Sequence, residues 1–177
     1  MCLSGDKKLL AVARENGSIE IWAKDSWSQL LVVPGNTNCP IRNIHWLESQ
    51  SKVNIADEAN PLYFRGKKRR LISTGINGTV IEWDLLSKSI KSKYTVHSAI
   101  WDSKLSKKLL YIACEDGSLK ICKVKKEKIE LSRTLVKAET RCFSLALTHD
   151  EKYIFGGYAD SSIRKWDLTN GNCILHF

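Results

Sequence analysis

Apolar and polar positions along this 177-residue chain spell one phrase four times: LLAVARENGSIEIW at 9–22, RLISTGINGTVIEWD at 70–84, LLYIACEDGSLKICKV at 109–124 and YIFGGYADSSIRKWD at 153–167. Each copy is an apolar run, a polar turn and a second apolar run, and three of the four close on Trp. Short runs with apolar residues two apart predict strands, and the turn between them predicts antiparallel pairing. Asn16-Gly17, Asn77-Gly78 and Asp116-Gly117 fit a two-residue hairpin turn with positive φ, which Gly adopts freely and Asn or Asp tolerates. Asp160-Ser161 lacks the Gly, so a looser or differently shaped turn is expected there.

The turn residues Asn16, Asn77, Asp116 and Asp160 are 61, 39 and 44 residues apart, and Trp22, Trp83, Cys122 and Trp166 keep the same intervals. Self-similarity at roughly 40–45 residues, with four short strands per unit, predicts an all-β chain of WD40-type β-propeller blades. Blade one is expected over 1–34, blade two over 35–91, blade three over 92–134 and blade four over 135–177, with strands opening near Ile41, Ala99 and Cys142. Trp22, Trp83 and Trp166 sit where a large ring fills the space between blades. The first blade reads as lacking a leading strand, because Met1–Lys8 offers little before Leu9, and 173–177 reads as a strand leading into a further blade. Propeller rings contain four to eight blades, so four units read as part of a larger, open propeller, with a closed four-blade ring as the alternative. The extra length of blade two comes from a polar insertion, 48–69, that contains Pro61 and lacks alternation, which predicts a long surface loop.

No stretch approaches the ~20 apolar residues that span a bilayer, and no signal-like segment follows Met1. The six cysteines, at 2, 39, 114, 122, 142 and 173, show no C-x-x-C spacing, which predicts reduced, mostly buried thiols in a cytosolic or nuclear compartment. The charge balance is more discriminating. Lys and Arg outnumber Asp and Glu by 28 to 19, a formal balance of +9 that suits a polyanionic partner. Two clusters carry much of it: Lys67, Lys68, Arg69 and Arg70 at the end of the insertion, and Lys123, Lys125, Lys126 and Lys128 around Glu127; Arg164 and Lys165 add to it in blade four. On loops, such cations would neutralise phosphates without reading sequence. Base readout is not expected, because few aromatics interleave with the clusters.

Candidate chemistry is sparse. His45, His97, His149 and His176 are scattered over separate blades without metal-ligand spacing, and there is no G-x-S-x-G elbow, phosphate-cradling loop or carboxylate pair. Gly156-Gly157 reads as a site of close packing. No catalytic, metal or cofactor site is expected, no small-molecule substrate and no membrane.

Several stretches narrow the reading: Leu10–Arg14 with Gly17–Trp22, Ile44-His45-Trp46, Leu71–Gly75 with Gly78 and Glu82-Trp83-Asp84-Leu85, Ala99-Ile100-Trp101, Ala113–Lys120 and Arg141–Leu145. In order and spacing, over nearly all of the chain outside 48–69, they resemble the cirhin-like family of WD-repeat proteins. That resemblance implies a non-catalytic nucleolar scaffold of the small-subunit processome, joining other WD-repeat proteins around precursor ribosomal RNA. A general peptide-binding adaptor, such as a ubiquitin-ligase substrate receptor, is the alternative. The chain departs from regular blades in lacking Gly-His dipeptides, in having Cys122-Lys123 where Trp-Asp would stand, and in Ala23 after Trp22. These losses weaken the usual Asp–His–Ser–Trp network and predict reliance on apolar packing.

Overall fold

The structure, a computed structural model, describes residues 1–35, 40–48, 62–64 and 67–177, with the backbone alone at Glu48, Tyr63, Phe64 and Lys67. Most of the expected insertion therefore lies outside the described residues. Four antiparallel sheets follow one another along the chain. The first comprises β1 (Cys2–Leu3), β2 (Leu9–Ala13), β3 (Ile19–Ala23) and β4 (Ser28–Val33). The second is built on β5 (Ile41–Glu48), β7 (Lys67–Gly75), β8 (Thr79–Asp84) and β9 (Ser89–Thr95), with β6 (Tyr63–Phe64) pairing β7 off the main path. The third comprises β10 (Ile100–Ser106), β11 (Leu109–Cys114), β12 (Ser118–Val124) and β13 (Ile129–Lys137), and the fourth β14 (Cys142–Leu147), β15 (Tyr153–Tyr158), β16 (Ile163–Asp167) and β17 (Cys173–His176). Each sheet packs on the next, and among the described residues the first and fourth do not close a ring. This is an arc of WD40-type blades.

Strand alternation sends successive side chains to opposite faces of each sheet. In β3, Ile19 and Ile21 are buried against the second sheet in one core with Leu71, Ile81 and Trp83. A second core joins Ile72 and Val80 to Leu110, Ile112 and Cys122, and a third joins Leu119 and Ile121 to Ile154, Tyr158 and Trp166. Trp83 and Trp166 thus fill the gaps between sheets. Trp22 does not: it lies on the face of the first sheet turned away from the second, half-buried, with its indole N–H donated to Glu20 at 3.0 Å. Part of the polar network survives, because Trp83 donates to Ser73 Oγ at 2.8 Å and Trp166 to the Tyr158 hydroxyl at 3.0 Å.

Three expectations change. The first sheet does have a leading strand, since Ser4 both donates to and accepts from the Leu9 backbone, turning the chain so that Cys2 and Leu3 pair with Ala11 and Leu10. The last strand, β17, is the outer strand of the fourth sheet, registered on Arg164–Trp166, the place that β4, β9 and β13 hold in the sheets before it. The end of the insertion is not loop: 67–70 continues β7, where Arg69 and Arg70 pair with Glu48 and Leu47.

The third change concerns the turns. Gly17 N–H donates to Arg14 O at 3.0 Å while Arg14 N–H donates to Ser18 O at 2.8 Å, so three residues form the loop and Gly17 alone has positive φ (77°). Asn16 keeps negative φ and works through its side chain, whose Oδ1 accepts from Ser18 N and Oγ at 3.0 and 2.7 Å. The same pair of bonds recurs at Asn77 with Thr79, at Asp116 with Ser118 and at Asp160 with Ser162. Ser161 takes φ 67° in the place of Gly, so the fourth turn copies the other three. A short polar side chain that anchors its own turn selects this geometry even without the glycine.

Candidate functional site

The two basic clusters, some 55 residues apart in sequence, meet in space. Arg70, on β7, grips Glu82 on β8 through two 2.6 Å bonds, and its second nitrogen also donates to Lys125 O at 2.7 Å. Lys91, on β9, donates to the same carboxylate at 3.0 Å and to Lys126 O at 2.7 Å. Burial would push the Glu82 carboxyl up, but Arg70 and Lys91 hold it below the usual carboxylate value. The fully buried Glu82 thereby ties the second sheet to the β12–β13 hairpin, whose tip carries Lys125–Lys128. A cleft of about 100 Å³ opens between them, lined by Lys68, Arg70, Glu82, Asp84, Lys91 and Lys126 among others.

The predicted cations differ in what they can reach. Arg69 is buried, and its guanidinium clamps Asp6 of the first sheet with bonds of 3.0 and 2.7 Å, holding that carboxyl well below its ordinary value. Lys68 is half-buried and paired with Asp84 at 3.0 Å. Lys125 and Lys128 both reach Glu130 from an exposed position, while Lys123 and Lys126 are exposed. The side chain of Lys67 lies outside the described residues. The sequence reading missed Lys91, Glu82 and Asp6. A register shift between Glu82 and Trp83 leaves Lys91 as the extra residue beside Ser92, the partner of Glu82, and no local motif signals it.

A second feature forms at the other end of β12, roughly 20 Å away at the rise of a seven-residue strand. The opening strands β5, β10 and β14 each carry a bulge one residue in, at Ile41/Asn43, Ile100/Asp102 and Cys142/Ser144. A bulge re-aims the extra side chain, here Arg42, Trp101 and Phe143. The Arg42 guanidinium lies 5.8 Å from the Trp101 ring centroid, and Trp101 meets Phe143 edge-on at 5.2 Å and 84°. Glu115 accepts from Trp101 Nε1 and pairs with exposed Arg141 at 2.7 Å. Just behind this row, Asp102 accepts from Asn43 Nδ2 at 2.9 Å and from Leu145 N–H at 2.8 Å, fixing three strands from three sheets at one spacing.

Comparisons with known proteins agree with this architecture. A family model described as "WD domain, G-beta repeat" matches residues 130–167, from the outer strand of the third sheet through β16. The chain is 29% identical over 173 residues to U3 small nucleolar RNA-associated protein 4 of Schizosaccharomyces pombe, covering 94% of this chain and 22% of that protein. It is 30% identical over 169 residues to the Saccharomyces cerevisiae protein of the same name, covering 92% and 20%, and 27% identical over 169 residues to the Homo sapiens homolog, covering 93% and 22%. The chain thus spans about a fifth of the length of these curated relatives. Among solved structures, the β-propeller domain of Myceliophteria thermophila Cps50 (Swd1) superimposes with a TM-score of 0.73 at 12% identity, over 99% of this chain and 53% of that one.

Proposed function

We propose that this chain is a non-catalytic WD40 scaffold in ribosome biogenesis, working in the nucleolus within the small-subunit processome beside other WD-repeat proteins and precursor ribosomal RNA. The observation that carries the reading is the similarity, over more than nine-tenths of the chain, to proteins named for association with U3 small nucleolar RNA. The basic balance supports it, and so does the convergence of two cationic clusters on one surface.

In this proposal Lys123, near the end of β12, and Lys125, Lys126 and Lys128 on the hairpin tip, together with Lys68, meet phosphates. Arg69 and Arg70 build the surface by holding Asp6 and Glu82. Lys67 is carried with the group by its place in β7. Phosphate contact releases counterions, so affinity should fall steeply with salt.

Titrating a transcript of precursor ribosomal RNA at several salt concentrations tests the reading. Replacing the four hairpin lysines by Ala should weaken binding and flatten the slope of log affinity against log salt, by roughly one per lost phosphate contact. Binding and slope that stay unchanged would sink the RNA contact, and absence of the chain from nuclease-sensitive nucleolar particles would sink the scaffold role.

A further inference from the structure

We propose that the row Arg42, Trp101 and Phe143, with Arg141 beside it, is a separate site for single-stranded RNA that stacks an unpaired base. The proposal rests on the RNA-scaffold reading above and assigns it a second contact, at the end of the sheets opposite the lysine hairpin.

Three observations converge. Bulges at matching positions of three successive sheets put one side chain from each on the same rim. Regular pairing would have kept these residues in the alternation of their strands; the bulges take them out of it. The second observation is rigidity: the Asn43–Asp102–Leu145 bonds fix the strands immediately behind the row, so a ligand meets rings and guanidinium already in place. The third is composition. Phe143 is 39% exposed, Trp101 is half-buried, and exposed Arg42 and Arg141 flank them. Glu115, the carboxylate in the row, is engaged by Trp101 and Arg141.

That composition selects among ligands. An aromatic site for a cationic side chain surrounds its rings with free carboxylates, whereas here the rings are flanked by arginines. Flat π surface beside guanidinium groups matches a planar base joined to an anionic phosphate, the pairing by which single strands are held without sequence readout. Duplex RNA does not fit, because its bases are stacked on one another and closed to side chains.

The test uses the full chain and a fluorescent oligoadenylate, with a sugar-phosphate strand of the same length lacking bases as the control. Phe143→Ala should weaken oligoadenylate binding by roughly tenfold, within the range for one stacked base, while leaving the salt slope unchanged. Arg42→Gln and Arg141→Gln should each lower the slope by about one. Bound oligoadenylate should quench Trp101, read as the fluorescence change lost in Trp101→Phe, and the abasic strand should not. Phe143 and Arg141 are exposed, so their variants should keep the wild-type circular dichroism and melting temperature. Equal binding of the abasic strand, or full affinity in Phe143→Ala, would overturn the site. If the hairpin lysine variant still loses affinity in that case, the scaffold reading stands and this one alone fails.

Discussion

Arg70 and Glu82 sit diagonally across β7 and β8, joined by two 2.6 Å bonds, with the carboxylate fully buried and the guanidinium nearly so. A buried acid of this kind is stabilising only while its partners remain, since removing one leaves an uncompensated charge. Glu82→Gln should therefore lower stability by about 3 kcal/mol in urea unfolding, with Arg70 and Lys91 losing their shared counter-charge. Replacing both residues with apolar ones of similar size, Arg70→Met with Glu82→Leu, should cost less than the single change. A double variant at least as unstable as Glu82→Gln would contradict that account.

The turns give a prediction of opposite signs at equivalent positions. Ser161 holds φ 67°, where a side chain is strained and glycine is not. Ser161→Gly should stabilise by about 0.5 kcal/mol, relief of that strain outweighing the extra freedom of glycine in the unfolded chain. Gly117→Ala should destabilise by about 1–3 kcal/mol, because φ is 75° and the new Cβ would lie 2.2 Å from Ala138 O. Thermal melts of the two variants, shifted in opposite directions from wild type, check both.

Trp83 and Ser73 allow the polar remnant of the blade network to be weighed against packing. The indole N–H donates to Ser73 Oγ at 2.8 Å in a buried setting. Ser73→Ala leaves that donor unpaired and should cost about 1–2 kcal/mol. Trp83→Phe removes the donor but also ring volume between the first two sheets, so its cost of about 2–4 kcal/mol should exceed that of Ser73→Ala. Denaturant midpoints of the two single variants rank the terms; the reverse order would mean that the hydrogen bond, not the ring, holds this gap.

Much of the fold was legible because each phrase repeats a local rule. The apolar pairs Ile19/Ile21 and Ile81/Trp83 follow strand alternation, and Asn16, Asn77, Asp116 and Asp160 mark turns by their own side chains. What the sequence hid depends on distant residues. Arg69 looks like one of four surface cations, yet Asp6, sixty-three residues earlier, draws it inward. Lys91 joins Glu82 only through a register shift between β8 and β9. Arg42, Trp101 and Phe143 share no motif, because a bulge follows from how two strands pair and leaves little trace in one of them.

His45 carries the pH dependence. Its Nε2 bonds Ser103 Oγ at 2.8 Å, and Ser103 bonds Thr74 at 3.0 Å, a polar chain between the second and third sheets. Burial, reinforced by the Lys104 charge and opposed by Asp102, pushes the imidazole down from 6.5 to about 4. The unfolded chain therefore takes up a proton near its ordinary value that the folded chain refuses until about pH 4. Stability should be insensitive to this group above 6.5, fall as the pH drops from 6.5 towards 4, and level off below. Asp6 and Glu82 act in a different window: their folded values lie below the ordinary 3.8 and 4.5, so their support is lost only on acidification past those values. Comparing urea midpoints at about pH 7 and about pH 5 for wild type and His45→Gln separates the two. Gln keeps a partner for Ser103 but binds no proton, so the variant should lose little stability over that interval. If it loses as much as wild type, His45 is not the group that senses acid.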